Sequence, residues 1–134
     1  GVYGSGSGTI DIRVTTAGGS VDSGTNYASS QYTGQTTAGE GSSSTSSIAN
    51  MDAFGDAVDE PATTEITILN PQGTTNPRHM FLTGIGGATA SSLTLRIGGG
   101  MYKSTTAVDG LHFYLDTGNT FTGTIKLYRR FRAV

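Results

Sequence analysis

The sequence predicts an all-β fold, a two-sheet antiparallel β-sandwich, jelly-roll-like, with about seven or eight short strands. Three observations predict it. Val, Ile, Thr, Tyr and Phe cluster in short runs of alternating polarity, Gly, Ser and Asn fill the gaps between them, and helical periodicity is nearly absent. At 134 residues the chain is one domain, 1–134, long enough to bury a core without disulfides or metal.

Residues 1–8, GVYGSGSG, read as a flexible lead, and an opening on Gly in place of Met predicts a fragment or a processed product. In 9–15, Ile10, Ile12 and Val14 alternate with Asp11 and Arg13, the period-two signature of a strand with one apolar side. Residues 16–25 are turn-rich, and 27–32 resume a strand. Residues 33–47 are the most polar stretch and read as a long Gly/Ser/Thr-rich surface loop. A short strand over 46–51 precedes an acidic segment, 52–60, in which Phe54 and Val58 at i, i+4 suit a single turn of helix. Residues 63–69 form a strand ended by Asn70-Pro71, because proline cannot donate to a ladder. After a loop at 72–77, strands at 78–85 and 92–97 follow, the second closed by Gly98 to Gly100.

The run from Ala107 to Arg130 reads as a β-hairpin. Val108, Leu111, Phe113 and Leu115 are apolar on the first arm, Ile125 and Leu127 on the second, and Asp116 to Asn119 form the natural turn. On the second arm Thr124, Lys126 and Tyr128 face away from Ile125 and Leu127. A two-stranded ribbon alone is marginal in water, so this hairpin requires partner strands.

Composition narrows the function classes. Twenty-one glycines, 34% hydrophobic residues and a Ser plus Thr content of roughly a quarter suit a compact β-protein with generous loops. With no cysteine there is no disulfide framework and no thiolate metal site. Eight basic against ten acidic residues, net charge −2, carry no nucleic-acid footprint. No apolar run has signal-peptide or transmembrane length, so no membrane insertion is expected.

Three stretches stand in this order along the chain, DIRVTTAGGSVDSGTNY from Asp11, EITILNP from Glu65 and VDGLHFYLDTGNTFTGTIKLY from Val108. Together they resemble a family of β-sandwich modules in tailed-bacteriophage virion proteins. In such modules a strand runs into a "GGS…DSG…Y" loop, an "I.I.NP" strand follows, and the chain closes on "sGtikLYg". The resemblance covers most of the chain and rests on structural residues. It implies a tail-fibre, tail-tip or head-decoration role on the virion, association with itself (a trimer favoured) and with other virion proteins, and no catalytic residues. The chain departs from the pattern in lacking a leading strand pair and in carrying Arg129-Arg130 where the family has Gly. The arginines hint at a separate partner for the C-terminus.

No constellation for chemistry stands out, so catalytic, cofactor and metal residues are expected to be none. His79 and His112 lack a G-x-S-x-G elbow or equivalent context. The acidic group Asp52, Asp56, Asp59 and Glu60 lacks the calcium-loop register, and the glycine groups at 84–87 and 98–100 precede neither a helix nor a Gly-Lys-Ser/Thr. Half of the basic residues, Lys126, Arg129, Arg130 and Arg132, gather at the C-terminus. They are candidates for a subunit interface with Asp56 and Glu60 of a neighbour, since Arg pairs bidentately with carboxylates. Tyr27, Tyr32 and Tyr102, beside loops, are candidate contacts for a host-surface glycan. The readings in order are a non-enzymatic virion structural module for assembly and host attachment, a glycan-binding receptor module, and a glycoside hydrolase domain needing two facing carboxylates.

Overall fold

The computed structural model describes residues 3–4, 8–34, 39–54, 62–87 and 93–129, and their regular structure is entirely β. In chain order the strands are β1 (Tyr3–Gly4), β2 (Gly8–Thr16), β3 (Ser20–Val21), β4 (Tyr27–Thr33), β5 (Gly39–Thr45), β6 (Ile48–Phe54), β7 (Thr63–Leu69), β8 (Arg78–Gly86), β9 (Thr94–Tyr102), β10 (Gly110–Leu115) and β11 (Phe121–Thr122). Eight of them have six residues or more, in line with the expected number.

They form a β-sandwich. One layer is a five-stranded antiparallel sheet in the order β5-β4-β9-β8-β7. In the other layer β2 is central, with β10 along one edge and β6 and β3 succeeding one another along the other. β6 lies across β8, β9 and β4 and so joins the layers.

Period-two alternation places the core. On β8, Arg78, Met80, Leu82 and Gly84 point inward while His79, Phe81, Thr83 and Ile85 point out. Met80 and Leu82 meet Ile12 and Val14 of β2, Ile48 of β6, Tyr27, Tyr102 and Val108 in one buried cluster. The layers approach closely at Gly100, where a Cβ would stand 2.5 Å from Ile48 Cδ1. Here the Gly98 to Gly100 run lies inside β9 and does not end it as the sequence suggested.

Four further local expectations need correction. Within the expected surface loop 33–47, Gly39–Thr45 is a strand paired with β4, because a ladder is built from backbone groups and tolerates Gly and Ser side chains at a sheet edge. Ser46 and Ser47 alone then carry the chain from one sheet to the other. The Ser47 hydroxyl donates to Asp11 Oδ2 at 2.6 Å, and Arg13 Nε donates to the Ser46 carbonyl at 2.9 Å. Within the expected lead 1–8, Tyr3–Gly4 pairs with β11 and Gly8 opens β2. Of the acidic segment 52–60, residues 52–54 belong to β6 and the rest lies outside the described residues.

The fourth correction concerns the hairpin. β10 pairs with β2, Leu115 opposite Ile10, and six residues later Phe121 stands opposite Gly4, six residues earlier. The register is therefore the same before and after 116–120, and the chain does not reverse there. The Gly118 amide does close a turn onto the Leu115 carbonyl at 3.0 Å, but that turn is an outpouching in a strand that keeps its direction. Residues 123–129 belong to no strand.

Candidate interaction surface

The two outer faces of the sandwich differ in chemistry. On the β2/β10 layer the outward residues are polar. The Arg13 guanidinium lies 4.4 Å from the centre of the Tyr114 ring, His112 stacks on Tyr114 at 5.6 Å, and the Tyr114 hydroxyl donates to Asp11 Oδ2 at 3.3 Å. On the five-stranded layer the outward residues are largely apolar. Phe81 is 63% exposed, and Leu69, Ile85, Leu95, Ile97 and Tyr32 are also at the surface. Pairing brings them together, with Tyr32 opposite Ile97 and Ile85 opposite Leu95. Contiguous apolar surface of this kind marks an interaction site, whereas single exposed apolar residues do not. The same alternation that fills the core on one side of β8 and β9 builds this face on the other, so the signal was present in the sequence as apolar residues at both phases.

The tyrosine expectation holds a place on the surface for Tyr32 only. Tyr27 is 0% exposed and Tyr102 is likewise buried, their paired rings 5.3 Å apart in the core, so neither can meet a glycan. Their positions beside Gly- and Ser-rich loops misled because Tyr can bury its ring and still satisfy its hydroxyl. Here both hydroxyls converge on Asp22. Tyr102 donates to Asp22 Oδ2 at 2.6 Å; Tyr27 donates to the Asp22 carbonyl at 2.7 Å and accepts from the Val14 amide at 3.1 Å. Burial pushes the Tyr27 hydroxyl up to about 12 and raises that of Tyr102. Partial burial of Asp22 acts to raise its carboxyl, but hydrogen bonds from Tyr102, the Gly24 amide and Asn26 outweigh it and hold the group below its ordinary value.

The other quoted motifs also have structural tasks. Gly18 and Gly19 turn at positive φ, and their amides donate to Asp109 Oδ2 at 2.7 and 3.1 Å while Thr15 Oγ1 donates to Asp109 Oδ1 at 2.7 Å. Those bonds hold the Asp109 carboxyl below its ordinary value. The Pro71 carbonyl, next to Asn70 at φ 48°, accepts from the Val108 amide and from Arg78 Nε. Arg78 is buried and clamps two loops, donating also to the carbonyls of Asn76, Thr105 and Thr106. Sequence reasoning missed this arginine, whose inward phase on β8 was its only signal.

Of the candidate subunit-interface residues, Lys126 and Arg129 are exposed, while Arg130, Arg132, Asp56 and Glu60 lie outside the described residues. The histidines lie on opposite outer faces, His79 on the five-stranded layer and His112 on the other, and so are not brought together. Among the described residues, no group of three or more His, Cys, Asp or Glu could hold a metal ion.

One flank of the sandwich is open. β7 ends the five-stranded sheet, and β10 ends the other, with no further strand on either edge among the described residues. Between them lies a cavity of about 540 Å³. The inward residues Ile66 and Ile68 of β7 and Leu111 and Phe113 of β10 line it and are only partly buried. Residues 124–127 border the same cavity. No family model matches the chain, and no curated protein or solved structure matches it.

Proposed function

We propose that the protein is a non-enzymatic structural module of a bacteriophage virion. Copies of it associate, three about a common axis, through the outer face of the five-stranded sheet. The observation that carries this reading is that apolar face, Tyr32, Phe81, Ile85, Leu95 and Ile97, on a fold whose other face is polar along β2 and β10. The resemblance of the GGS…DSG…Y, ILNP and GTIKLY stretches to virion β-sandwich modules supports the setting. The network around Asp22 and Asp109 supports it further, since those motif residues hold the scaffold together and leave the outer faces for partners.

The test uses Phe81→Glu and Ile97→Glu, both at exposed positions that leave the core intact. Light scattering at micromolar concentration is expected to give a multiple of the 13.7 kDa chain mass for the native chain and a smaller mass for the double variant. Immunogold labelling is expected to place the protein on purified particles. An unchanged mass in the variant removes the face from the reading, and absence from particles removes the virion setting.

A further inference from the structure

Protein interiors are close-packed, and few voids exceed the size of a water molecule. An opening of about 540 Å³ against the partly buried Ile66, Ile68, Leu111 and Phe113 is therefore a core lacking one layer on this flank. Among the described residues both strands that border it present an unpaired edge, a template for an incoming strand. Thr64 Oγ1, which also lines the cavity, is buried without a hydrogen-bond partner among the described residues.

The chain carries a segment with the matching pattern. From Thr124 to Tyr128, Ile125 and Leu127 alternate with polar residues, as on a strand with one buried face, yet Leu127 is 95% exposed and Ile125 is also exposed. Charge matches as well. Asp109 and Asp116 bracket β10 at its two ends, both exposed, and the segment brings Lys126 and Arg129.

In its own chain the segment borders the cavity without forming a strand, and register argues against its pairing with its own β10 through a tight turn. β11 continues the line of β10 because both pair with the N-terminal strands in one register. A tight reversal at Gly123 would set Ile125 opposite Phe121 and Leu127 opposite Asn119, short of Gly110–Leu115. A segment arriving from another molecule carries no such constraint.

We propose that the C-terminal segment 124–128 of one copy adds as a β-strand to the free edge of β10 in a second copy. Ile125 and Leu127 enter the cavity between β10 and β7, and Lys126 meets Asp109 or Asp116 at its rim. The exchange is head-to-tail, so repetition closes a ring or extends a filament. It rests on the reading of the protein as a self-associating module but uses a different surface from the apolar sheet face.

The chain has no cysteine, so engineered thiols report without background. Leu111→Cys and Ile125→Cys are made in separate chains, mixed and oxidised. Mass spectrometry is expected to find a 111-to-125 disulfide between the two chains, and Leu127→Asp is expected to reduce the assembly mass. A disulfide that forms only inside a chain carrying both cysteines overturns the exchange, as does an assembly mass unchanged in Leu127→Asp. The two interfaces are told apart by Phe81→Glu/Ile97→Glu. If it lowers the mass while no interchain disulfide forms, the tail exchange fails and the sheet-face reading stands. If the disulfide forms and the mass is insensitive to those substitutions, the sheet-face reading fails and the exchange stands.

Discussion

Gly100 and Gly18 both exclude a methyl group, for different reasons. Gly100 lies within β9, and an added Cβ would stand 2.5 Å from Cδ1 and 2.8 Å from Cγ2 of Ile48, itself fully buried. Gly18 has nothing within 4 Å of the same position but sits at φ +83°. Gly100→Ala is expected to cost about 1–3 kcal/mol by overpacking, and Gly18→Ala about 1–2 kcal/mol by backbone strain. Urea unfolding separates the two, because Ile48→Val removes the nearest offending atom. It should recover part of the Gly100→Ala loss and none of the Gly18→Ala loss in double-mutant cycles. Asp22 and Asp109 contribute to the acid limit. Both carboxyls are held below the ordinary 3.8, so their contribution is fully present above that value and is lost as pH falls through the depressed folded values. Stability measured from pH 6 down to pH 2 should fall in that lower window, and Asp22→Asn should flatten the fall. None of these contacts was legible residue by residue. The sequence marks Gly, Asp and Tyr as turn formers or surface rings, and only the fold shows Tyr102 donating to an aspartate eighty positions away.

Strands were legible where side-chain phase carries the information, and the turns between them less so. β2 and β7 lie where alternation placed them and β4 and β8 where runs of strand-forming residues did; on β2 and β8 one face is buried and a one-residue slip would expose it. β5 was not legible because Gly, Ser and Thr give no phase, and its pairing with β4 is a backbone affair. Asp-Thr-Gly-Asn at 116–119 does form a turn, yet local turn chemistry cannot tell a reversal from an outpouching in a continuing strand. The β2–β3 turn is fixed from a distance by Asp109 at the start of β10. Asp109→Ala should therefore speed hydrogen exchange at the Gly18 and Gly19 amides while amides at the centre of β8 keep their protection. Equal acceleration at both places would mean that Asp109 holds the whole sandwich and not this turn.

At the scale of the molecule, what sequence could not convey is where apolar surface is left over. Leu95, Ile97 and Phe81 look like core residues in a linear reading, but β8 and β9 have two faces and only one is covered by the described residues. Among the described residues the flank between β7 and β10 is uncovered in the same sense, and Ile125 and Leu127 at the border of its cavity are apolar residues left exposed. A fold that completes its packing between copies should be more stable when more concentrated, because association stabilises by mass action. Thermal unfolding of the native chain should then shift upward by roughly 2–5 °C for each tenfold rise in concentration. Phe81→Glu/Ile97→Glu and Leu127→Asp should each reduce the slope. At the lowest concentrations, where single chains dominate, both variants should melt with the native chain, because the substituted residues are exposed there. A native melting temperature independent of concentration from 1 to 100 µM would mean that each copy is stable with its apolar face and open flank unfilled, which removes the packing argument for assembly at both surfaces.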